Sequence, residues 1–483
     1  MLKTLFRSFV PLAVASHICA VAAGAFAQGA DSGAASPAQE APVLSLQECV
    51  AIALGNSPTL ASVGAQREGA AQGVKGAWGA FLPDVSLSRT YSKNERTDFD
   101  VAQTAADLYS VQSLEGPILV FPVSSATGEV ADESITTTYQ DWSGQASLNV
   151  FDGFRNYGGL KSARATLRAA EAAESYSRHQ LVESVAAAYF DLLRMERLLE
   201  VAAESRDLAA RELERMDVYF KLGSAARSDV LQARVRHEQT KLDAVRAQNA
   251  VEQAFAVLAH TMNQPLAKRF EIERSVQNAD FSLEQLETLY QEAVANRLDL
   301  RGREQEVEAS KGDVTSASSN LWPSLDLFLS YSRYKNESPY RFGAQESDNL
   351  GYGYRLNWNV FDRLQSLTGR SRAKAGVRVA QYALDQARLD AQLEIRSIYN
   401  SLLEARERAS LSKETIGQTE EELRLAQERF RVGAGTTLDI ITAQVNLARA
   451  RSDEVQAICD WLINAARLDR AVGRTVRFVG TGS

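Results

Sequence analysis

The segment RFRVGAGTTLDII, residues 429–441, carries the clearest structural signal in this chain. A long helical pattern rich in Ala, Leu, Glu and Arg leads into Gly433, and a second helical pattern begins at residue 438. Glycine is the usual residue in the left-handed position that ends a helix. KLGSAARSDVL, residues 221–231, repeats the arrangement in weaker form around Gly223. Each stretch therefore predicts a tight turn that joins two helices.

The two turns lie in an internal repeat. The tetrapeptide NVFD at residues 149–152 recurs at residues 359–362, and its spacing to the turn glycine and to Asp229 or Asp439 is the same in both copies. A helix keeps such a spacing because each inserted residue rotates its buried face by about 100°. The chain is therefore expected to contain two copies of a strand, a very long helix and a turn.

Proline-free tracts with apolar residues at helical spacing indicate the helices. The two longest tracts, residues 157–221 and 366–431, would each span roughly 100 Å. Four shorter helices are expected at residues 46–80, 228–262, 285–320 and 438–472. From these lengths we expect helix 228–262 to stack end to end on helix 285–320, and helix 438–472 on helix 46–80. Each subunit would then supply two continuous and two split helices.

Four segments alternate between apolar and polar residues, as strands with two different faces do. Val85, Leu87 and Tyr91, for example, oppose Ser86 and Ser88. One interpretation is an antiparallel sheet over a hydrophobic core. The other is a lipid-facing barrel with a wet lumen, and four strands could close such a barrel only in an oligomer. Candidates for the aromatic girdle of a barrel lie near the strand ends: Tyr91, Trp142, Tyr331, Tyr334 and Trp358.

The amino terminus predicts export. Lys3 and Arg7 precede an apolar run that ends at Ala25-Phe26-Ala27, the pattern of a signal peptide over residues 1–27. Residues 28–43 are small and polar and predict a disordered leader. Loss of the two basic residues of the signal changes the formal charge from −8 to −10, which argues against nucleic-acid binding. After the signal, no segment is apolar and long enough for a transmembrane helix.

The rest of the chain divides at the duplication. The first repeat is assigned to residues 44–280 and the second to residues 281–474, with a short tail at residues 475–483. Polar loops between the strands are expected at residues 94–136 and 335–349.

Two cysteines, Cys49 and Cys459, remain after the signal is removed. An exported pair could form a disulfide. The expected helix layout places them a couple of tens of ångströms apart along the helix axes, so free buried thiols are favoured.

These residues resemble the TolC family of outer-membrane efflux and secretion channels over essentially the whole mature chain. The second turn carries most of the resemblance, with Arg429-Phe430, Gly433, Thr436 and Asp439-Ile440-Ile441-x-Ala443 at the family's spacing. The first turn matches more weakly, through Gly223 and Asp229-Val230-Leu231-x-Ala233, and the segment LSLQECVAIALGNSP at residues 44–58 resembles the family's opening helix.

The resemblance implies a membrane β-barrel continued by a long α-helical barrel. In a TolC-like trimer, twelve strands would cross the outer membrane of a Gram-negative bacterium and contact its lipid, and twelve helices would form a periplasmic tunnel. The resemblance also implies docking to a periplasmic adaptor (a membrane fusion protein) and, through it, to an inner-membrane pump or ABC exporter. The cargo, whether drug, metal or protein, is not indicated, and neither are the identities of the adaptor and the pump.

Asp229 and Asp439 are the candidate gate residues. Either aspartate would stabilise a helix end, Asp439 as the acidic member of a capping box with Thr436, and this alone could explain both. In a trimer, however, the two would place six carboxylates around one axis, and such a ring attracts cations. Thr442 is added to the gate because family members can carry a second acidic residue there. Gly435 stands where they can carry a basic residue, so the gate is expected to rely on packing and hydrogen bonds instead of a charge lock.

The turns themselves are the candidate contact with the adaptor, since such turns are exposed and the family docks there. The residues assigned to this contact are Leu222, Gly223, Ser224, Val432, Gly433, Gly435 and Thr436.

Catalysis is not expected. His179, His237 and His260 are separated on helices, and Lys241 stands where a second zinc ligand would follow His237-Glu238. The sequence contains neither a phosphate-binding glycine loop nor a nucleophile elbow, and no cofactor is expected. The alternative function is that of a soluble, exported coiled-coil scaffold or adaptor, which explains the helices but not the four alternating strands.

Overall fold

The computed structural model describes residues 42–97, 134–274, 281–337 and 345–477. The signal peptide and most of the leader and tail lie outside these ranges, as do the centres of both polar loops. The described strands extend into the expected loops, since one reaches Thr97 and another begins at Gln345.

Two helices of equal length dominate the fold, as the duplication predicts. α3 (Arg155–Lys221) and α7 (Gln365–Arg431) have 67 residues each, which corresponds to about 100 Å. Each is followed by a turn and a shorter helix, α4 (Arg227–Thr261) and α8 (Thr437–Val472). These four expected helices are confirmed to within two residues at their ends.

The helix expected before the strands of each repeat is broken in two. The first repeat has α1 (Leu46–Asn56) and α2 (Pro58–Gly79), and the second has α5 (Leu286–Asn296) and α6 (Leu298–Ala317). The prediction of single helices was therefore wrong. In the first repeat, Ser57 is extended and accepts a hydrogen bond from the Leu60 amide at 3.2 Å, which starts a new helix at Pro58.

The split helices stack within each repeat. The Asn263 side chain, just after α4, donates to the Asn56 carbonyl at 2.9 Å, directly before α2. At the end of α8, a Cβ on Gly473 would lie 2.8 Å from the Asn296 carbonyl carbon, directly before α6. α4 therefore continues into α2, and α8 into α6. The expected pairing was wrong because all four helices have matching lengths, so length could not select the partners.

These stacks lie beside the continuous helices in a fixed order. The α2/α4 stack packs against α3, while α6 and α8 pack against both α3 and α7. Each repeat thus contributes one stack and one continuous helix.

The strands form one antiparallel sheet in the order β2 (Asp84–Thr97), β3 (Ser134–Phe151), β5 (Ser324–Glu337) and β6 (Gln345–Asn357). Each repeat supplies one hairpin, and β2 and β6 are left as edges. Two short strands elsewhere, β1 (Val43–Leu44) and β4 (Glu271–Ile272), pair in parallel. Val43, the last residue of the expected leader, is therefore part of the fold.

One face of the four-stranded sheet is apolar and covers no core. Val85 opposes Ala146, which in turn opposes Leu329 on the next strand. Val85 is 68% exposed and Leu87 is 85% exposed. The opposite face is polar and carries a hydrogen bond of 2.6 Å between the hydroxyls of Ser88 and Ser143. The observed exposure excludes the interpretation of a sheet over a hydrophobic core.

The NVFD tetrapeptides mark the passage from sheet to helix. Phe154 and Leu364, the residues before α3 and α7, both have left-handed backbones, with φ of 72° and 68°. The preceding aspartates accept from the first turn of each helix, Asp152 from the Asn156 amide at 2.8 Å and Asp362 from the Ser366 amide at 2.7 Å. The repeated tetrapeptide therefore contains the residue that caps each long helix.

The main core lies where the helix stacks meet. It contains residues of α1, α5 and α8 and of the central parts of α3 and α7. Cys49 and Cys459 both lie in this core as free, buried thiols, as expected. Burial raises the pKa of Cys49 to about 12 and that of Cys459 to about 11, so both thiols are unreactive at neutral pH.

Candidate functional site

The two turns at the ends of α3 and α7 have the same backbone. Gly223 and Gly433 adopt φ values of 76° and 78°, in the left-handed region that glycine favours. The Gly433 amide donates to the Phe430 carbonyl at 3.0 Å, and the next amide donates to the Arg429 carbonyl at 2.8 Å. The first turn repeats both bonds. The predicted glycine helix ends are therefore confirmed.

The helices that leave the turns have unequal caps. The Asp439 carboxylate accepts from the Thr436 amide at 2.8 Å, and the Thr436 hydroxyl accepts from the Asp439 amide at 3.3 Å. This is a complete capping box, as predicted. In the first turn the Asp229 carboxylate accepts from the Ala226 amide at 2.9 Å, but alanine has no hydroxyl to return the bond.

The electrostatics at the second turn follow from these bonds. Hydrogen bonds from the Thr436 amide and hydroxyl lower the pKa of the exposed Asp439 carboxyl, which is ionised at neutral pH. Thr442 lies exposed one turn along α8, and its hydroxyl donates to the Leu438 carbonyl at 2.9 Å. The structure thus supports the capping role of both aspartates, and their gate role remains a prediction.

The two turns of one chain lie side by side. The rings of Tyr219 and Phe430 are 6.0 Å apart, and the Thr437 hydroxyl lies 3.7 Å from the Met216 sulfur in a buried contact. Phe430 packs against the small apolar clusters beneath both turns. This bridging role was missed from the sequence, although Phe430 is part of the motif that identified the turn.

Two of the residues assigned to adaptor contact are large, apolar and exposed. Leu222 is 72% exposed and Val432 is 68% exposed, at equivalent positions of the two turns. Gly435 has a separate packing role, because a Cβ there would lie 3.0 Å from the Phe430 amide nitrogen. Beside the turns, α4 and α8 line a shallow apolar groove with Leu231, Gln232, Val235, Arg236, Gln239, Leu438 and Ile441.

Four of the five expected girdle aromatics lie on the apolar side of the sheet or at its end. Trp142 faces the same side as Tyr91 and Tyr331, and the Arg89 guanidinium lies 4.9 Å from the centre of its ring. Trp358 directly follows β6 and is exposed.

Tyr334 is the exception, and its assignment to the girdle was wrong. It pairs with Asp141 and stacks on Tyr139 at 6.5 Å, on the polar face. Alternation along β5 requires this orientation, because Tyr331 and Tyr334 are an odd number of residues apart.

A second aromatic group, which was not identified from the sequence, lies at the junctions between helices and strands. Its members are large, exposed and close to the chain positions where the sheet begins or ends: Trp78, Phe81, Phe154, Trp322 and Phe361. These five residues could have been identified from their positions in the sequence, since each falls within six residues of a strand end. Aromatic residues at this height suit the boundary between lipid and water.

Among the described residues, no group of three or more His, Cys, Asp or Glu side chains could hold a metal ion. None of the described helices has an apolar stretch long enough to cross a membrane.

Relatives match this chain over most of its sequence, and solved structures share its fold. TolC of Vibrio cholerae is 23% identical over 426 residues, covering 86% of this chain and 88% of its own. The probable efflux pump protein TtgC of Pseudomonas putida is 25% identical, covering 82% and 84%. The crystal structure of VceC of Vibrio cholerae superposes with a TM-score of 0.70 at 18% identity, covering 89% of this chain and 97% of its own.

The family model for outer membrane efflux proteins matches residues 50–264 and 289–474, one segment in each repeat. These segments contain both turns, all four strands of the large sheet, and the two 67-residue helices. The chain belongs to the outer membrane efflux protein family.

Proposed function

We propose that three copies of this chain form a channel through the outer membrane, open to the periplasm through a helical tunnel. Proteins of this family are outer-membrane conduits of efflux pumps and type I secretion systems, and they form trimers that work with adaptors and inner-membrane pumps. The observation that carries the proposal for this chain is that both its sheet and its helical layer repeat and end in open edges.

The helical layer shows how copies would join. Within one chain, α3 contacts the stack that α6 and α8 form. α7 is the counterpart of α3, yet its far side exposes Tyr382, Leu389 and Leu393. The α2/α4 stack is the counterpart of α6/α8, and Leu242, Val245 and Val257 of α4 are exposed on it. A neighbouring copy can therefore place its α2/α4 stack against α7, repeating the contact already made inside the chain.

The sheet closes by the same rule. β3 and β5 pair within the chain, and β6 can pair with β2 of a neighbour in the same antiparallel sense. Three copies give twelve strands, with the apolar face toward lipid and the polar face toward a wet lumen. Closure also removes the open edges, which would otherwise promote aggregation.

The test is purification from outer membranes in detergent, followed by a mass measurement and planar bilayer recording. A detergent-dependent trimer that forms pores is expected. A natively folded monomer that stays soluble without detergent and forms no pores would exclude the channel and favour the alternative of an exported coiled-coil scaffold.

We propose that Asp229 and Asp439 constrict the tunnel at the turns, with Thr442 beside them. The two turns of one chain lie together, so a trimer brings six carboxylates toward one axis. A chain with Asp229→Asn and Asp439→Asn should show lower cation selectivity in bilayer recordings, because the ring would lose its charge. The control is Asp243→Asn, on the exposed face of α4 away from the turns. Equal selectivity in both variants would remove the gate role and leave only helix capping.

The exposed turn residues, from Leu222 to Ser224 and from Val432 to Thr436, are proposed as the contact with a periplasmic adaptor. An inner-membrane pump or ABC exporter would supply the cargo, and the channel itself would catalyse nothing. Among relatives, one is named a toluene efflux protein of Pseudomonas putida and another an alkaline protease secretion protein of Pseudomonas aeruginosa. Comparing toxin sensitivity and secreted proteins in a deletion strain would separate efflux from protein export.

A further inference from the structure

The first turns of both long helices are basic. Residues 153–170 and 363–384 contain no Asp or Glu, although the whole chain has a formal charge of −8. The first acidic residues after these segments are Glu171 on α3 and Asp385 on α7. Both repeats thus carry a basic segment at the same position, the start of the long helix. This recurrence indicates that the positive charge has a role at that position in the fold.

We call six of the exposed basic residues in these segments the basic collar: Arg164, Arg168, Arg370, Arg372, Lys374 and Arg378. In the described ranges, none of them lies within 4.0 Å of a carboxylate oxygen. Arg164 instead covers the Trp78 ring at 5.3 Å.

Farther along α7, most arginines form ion pairs. Arg388 pairs with Glu304 at 3.0 Å, and Arg408 pairs with Asp460 at 2.7 Å. Most of the helical arginines that lie farther from the sheet than the collar have such a carboxylate partner among the described residues. Among the described residues, the collar cations therefore have no carboxylate partner in their own chain, and they are free to pair with an external anion.

The distance of the collar from the sheet suggests which anions it binds. Arg370 is five residues after the start of α7, about 8 Å along the helix, and Lys374 lies about 14 Å along it. Trp358, Phe361 and Leu367 are exposed between the sheet and the collar. If the apolar face of the sheet occupies the hydrocarbon layer, these residues mark its edge, and the collar begins in the headgroup region, which is about 5–8 Å thick.

We infer that the basic collar binds the phosphate groups of anionic phospholipids in the periplasm-facing leaflet of the outer membrane. Arginine suits this ligand because its guanidinium can donate two parallel hydrogen bonds to one phosphate. The long side chains can lie along the helix and reach up to the headgroups. The inference rests on the proposed function, since it requires the sheet to lie in the membrane.

The test measures how phosphatidylglycerol stabilises the purified trimer in detergent micelles, by thermal unfolding at increasing lipid content. The collar variant is Arg370→Gln, Arg372→Gln and Lys374→Gln. The control is Arg396→Gln, Lys413→Gln and Arg449→Gln, which removes three exposed and unpaired charges farther from the sheet. Each charge near an anionic surface changes apparent affinity about fivefold. The collar variant should therefore need about a hundredfold more phosphatidylglycerol for the same rise in Tm, and the control should match the unmodified chain.

Three results would overturn the inference. The first is an equal response of both variants to phosphatidylglycerol. The second is an equal stabilisation by inorganic phosphate, which would indicate a site for free anions. The third is a changed ion selectivity of the collar variant with an unchanged lipid response, which would place the collar in the lumen. Failure of the proposed function is distinguishable, because the unmodified chain would then form neither trimers nor pores.

Discussion

Replacing Arg297 by methionine is expected to lower the free energy of unfolding by about 3–5 kcal/mol, because two half-buried carboxylates lose the buried guanidinium that they share. Arg297 is 6% exposed and precedes α6, where α8 ends. Its guanidinium donates to Asp299 at 2.8 Å, to Glu394 of α7 at 2.7 Å and to the Ala471 carbonyl of α8 at 3.1 Å. One side chain thus joins three helices.

The charge state of the partners supports this expectation. Burial alone would raise the pKa of Glu394, but bonds from Arg297 and attraction from Arg470 lower it overall. Without Arg297, Glu394 keeps its ion pair with Arg470. Asp299, however, loses the guanidinium that lowers its pKa against the effect of burial. The variant should therefore lose stability at neutral pH, where both carboxylates are ionised.

The measurement is urea unfolding of the detergent-solubilised protein, followed by helical circular dichroism. Arg303→Met on the same helix is the control, since Arg303 is exposed and pairs with Glu306, three residues along, at 2.8 Å. Such surface pairs contribute about 0–1 kcal/mol. Similar unfolding midpoints for the two variants would contradict the proposed role of Arg297 at the helix junction.

Val85→Arg is expected to prevent assembly in the outer membrane. Val85 is the second residue of the edge strand β2 and lies on the apolar face, in one row with Ala146, Leu329 and Tyr352. An arginine on the lipid face of a barrel costs about 2–4 kcal/mol at the bilayer midplane and less toward the interfaces, and a trimer would carry three. The variant should be depleted from the outer-membrane fraction and should lack trimers on unheated gels.

Ser86→Arg provides the matched control. Ser86 is the next residue along β2, pairs with Gln145 and faces the polar side of the sheet. The two variants thus carry the same charge one position apart, on opposite faces. Normal trimers are expected for Ser86→Arg, since its side chain would enter a wet lumen. Equal depletion of both variants would mean that the apolar face does not contact lipid.

The long helices and turns could be predicted because their signals are local and occur twice. Gly433 and Thr436 each perform a task that the neighbouring backbone imposes, so residue type and spacing identified them. The alternation of Val85 with Ser86 likewise identified the two faces of the sheet. The same rule, applied to Tyr334, would have placed it on the polar face, so that error was avoidable.

Other features depend on contacts between distant parts of the chain. The stacking of α4 on α2 is decided where Asn263 meets Asn56, more than 200 residues away, and helix length alone allows either pairing. The break at Ser57 was overlooked because the apolar pattern continues across it. Arg297 was not singled out, since an arginine that joins three helices looks like any other charged residue in the sequence.

The stacking of split helices within each repeat has a consequence for ancestry. A half-length chain with one hairpin, one continuous helix and one stacked pair would already be a complete building block, and six of them could surround the same axis. Fusing two such blocks halves the number of molecules that must find one another at the membrane. Fusion also allows the two halves to differ in sequence. Ala226 in the first turn and Thr436 at the equivalent position of the second turn are one such difference.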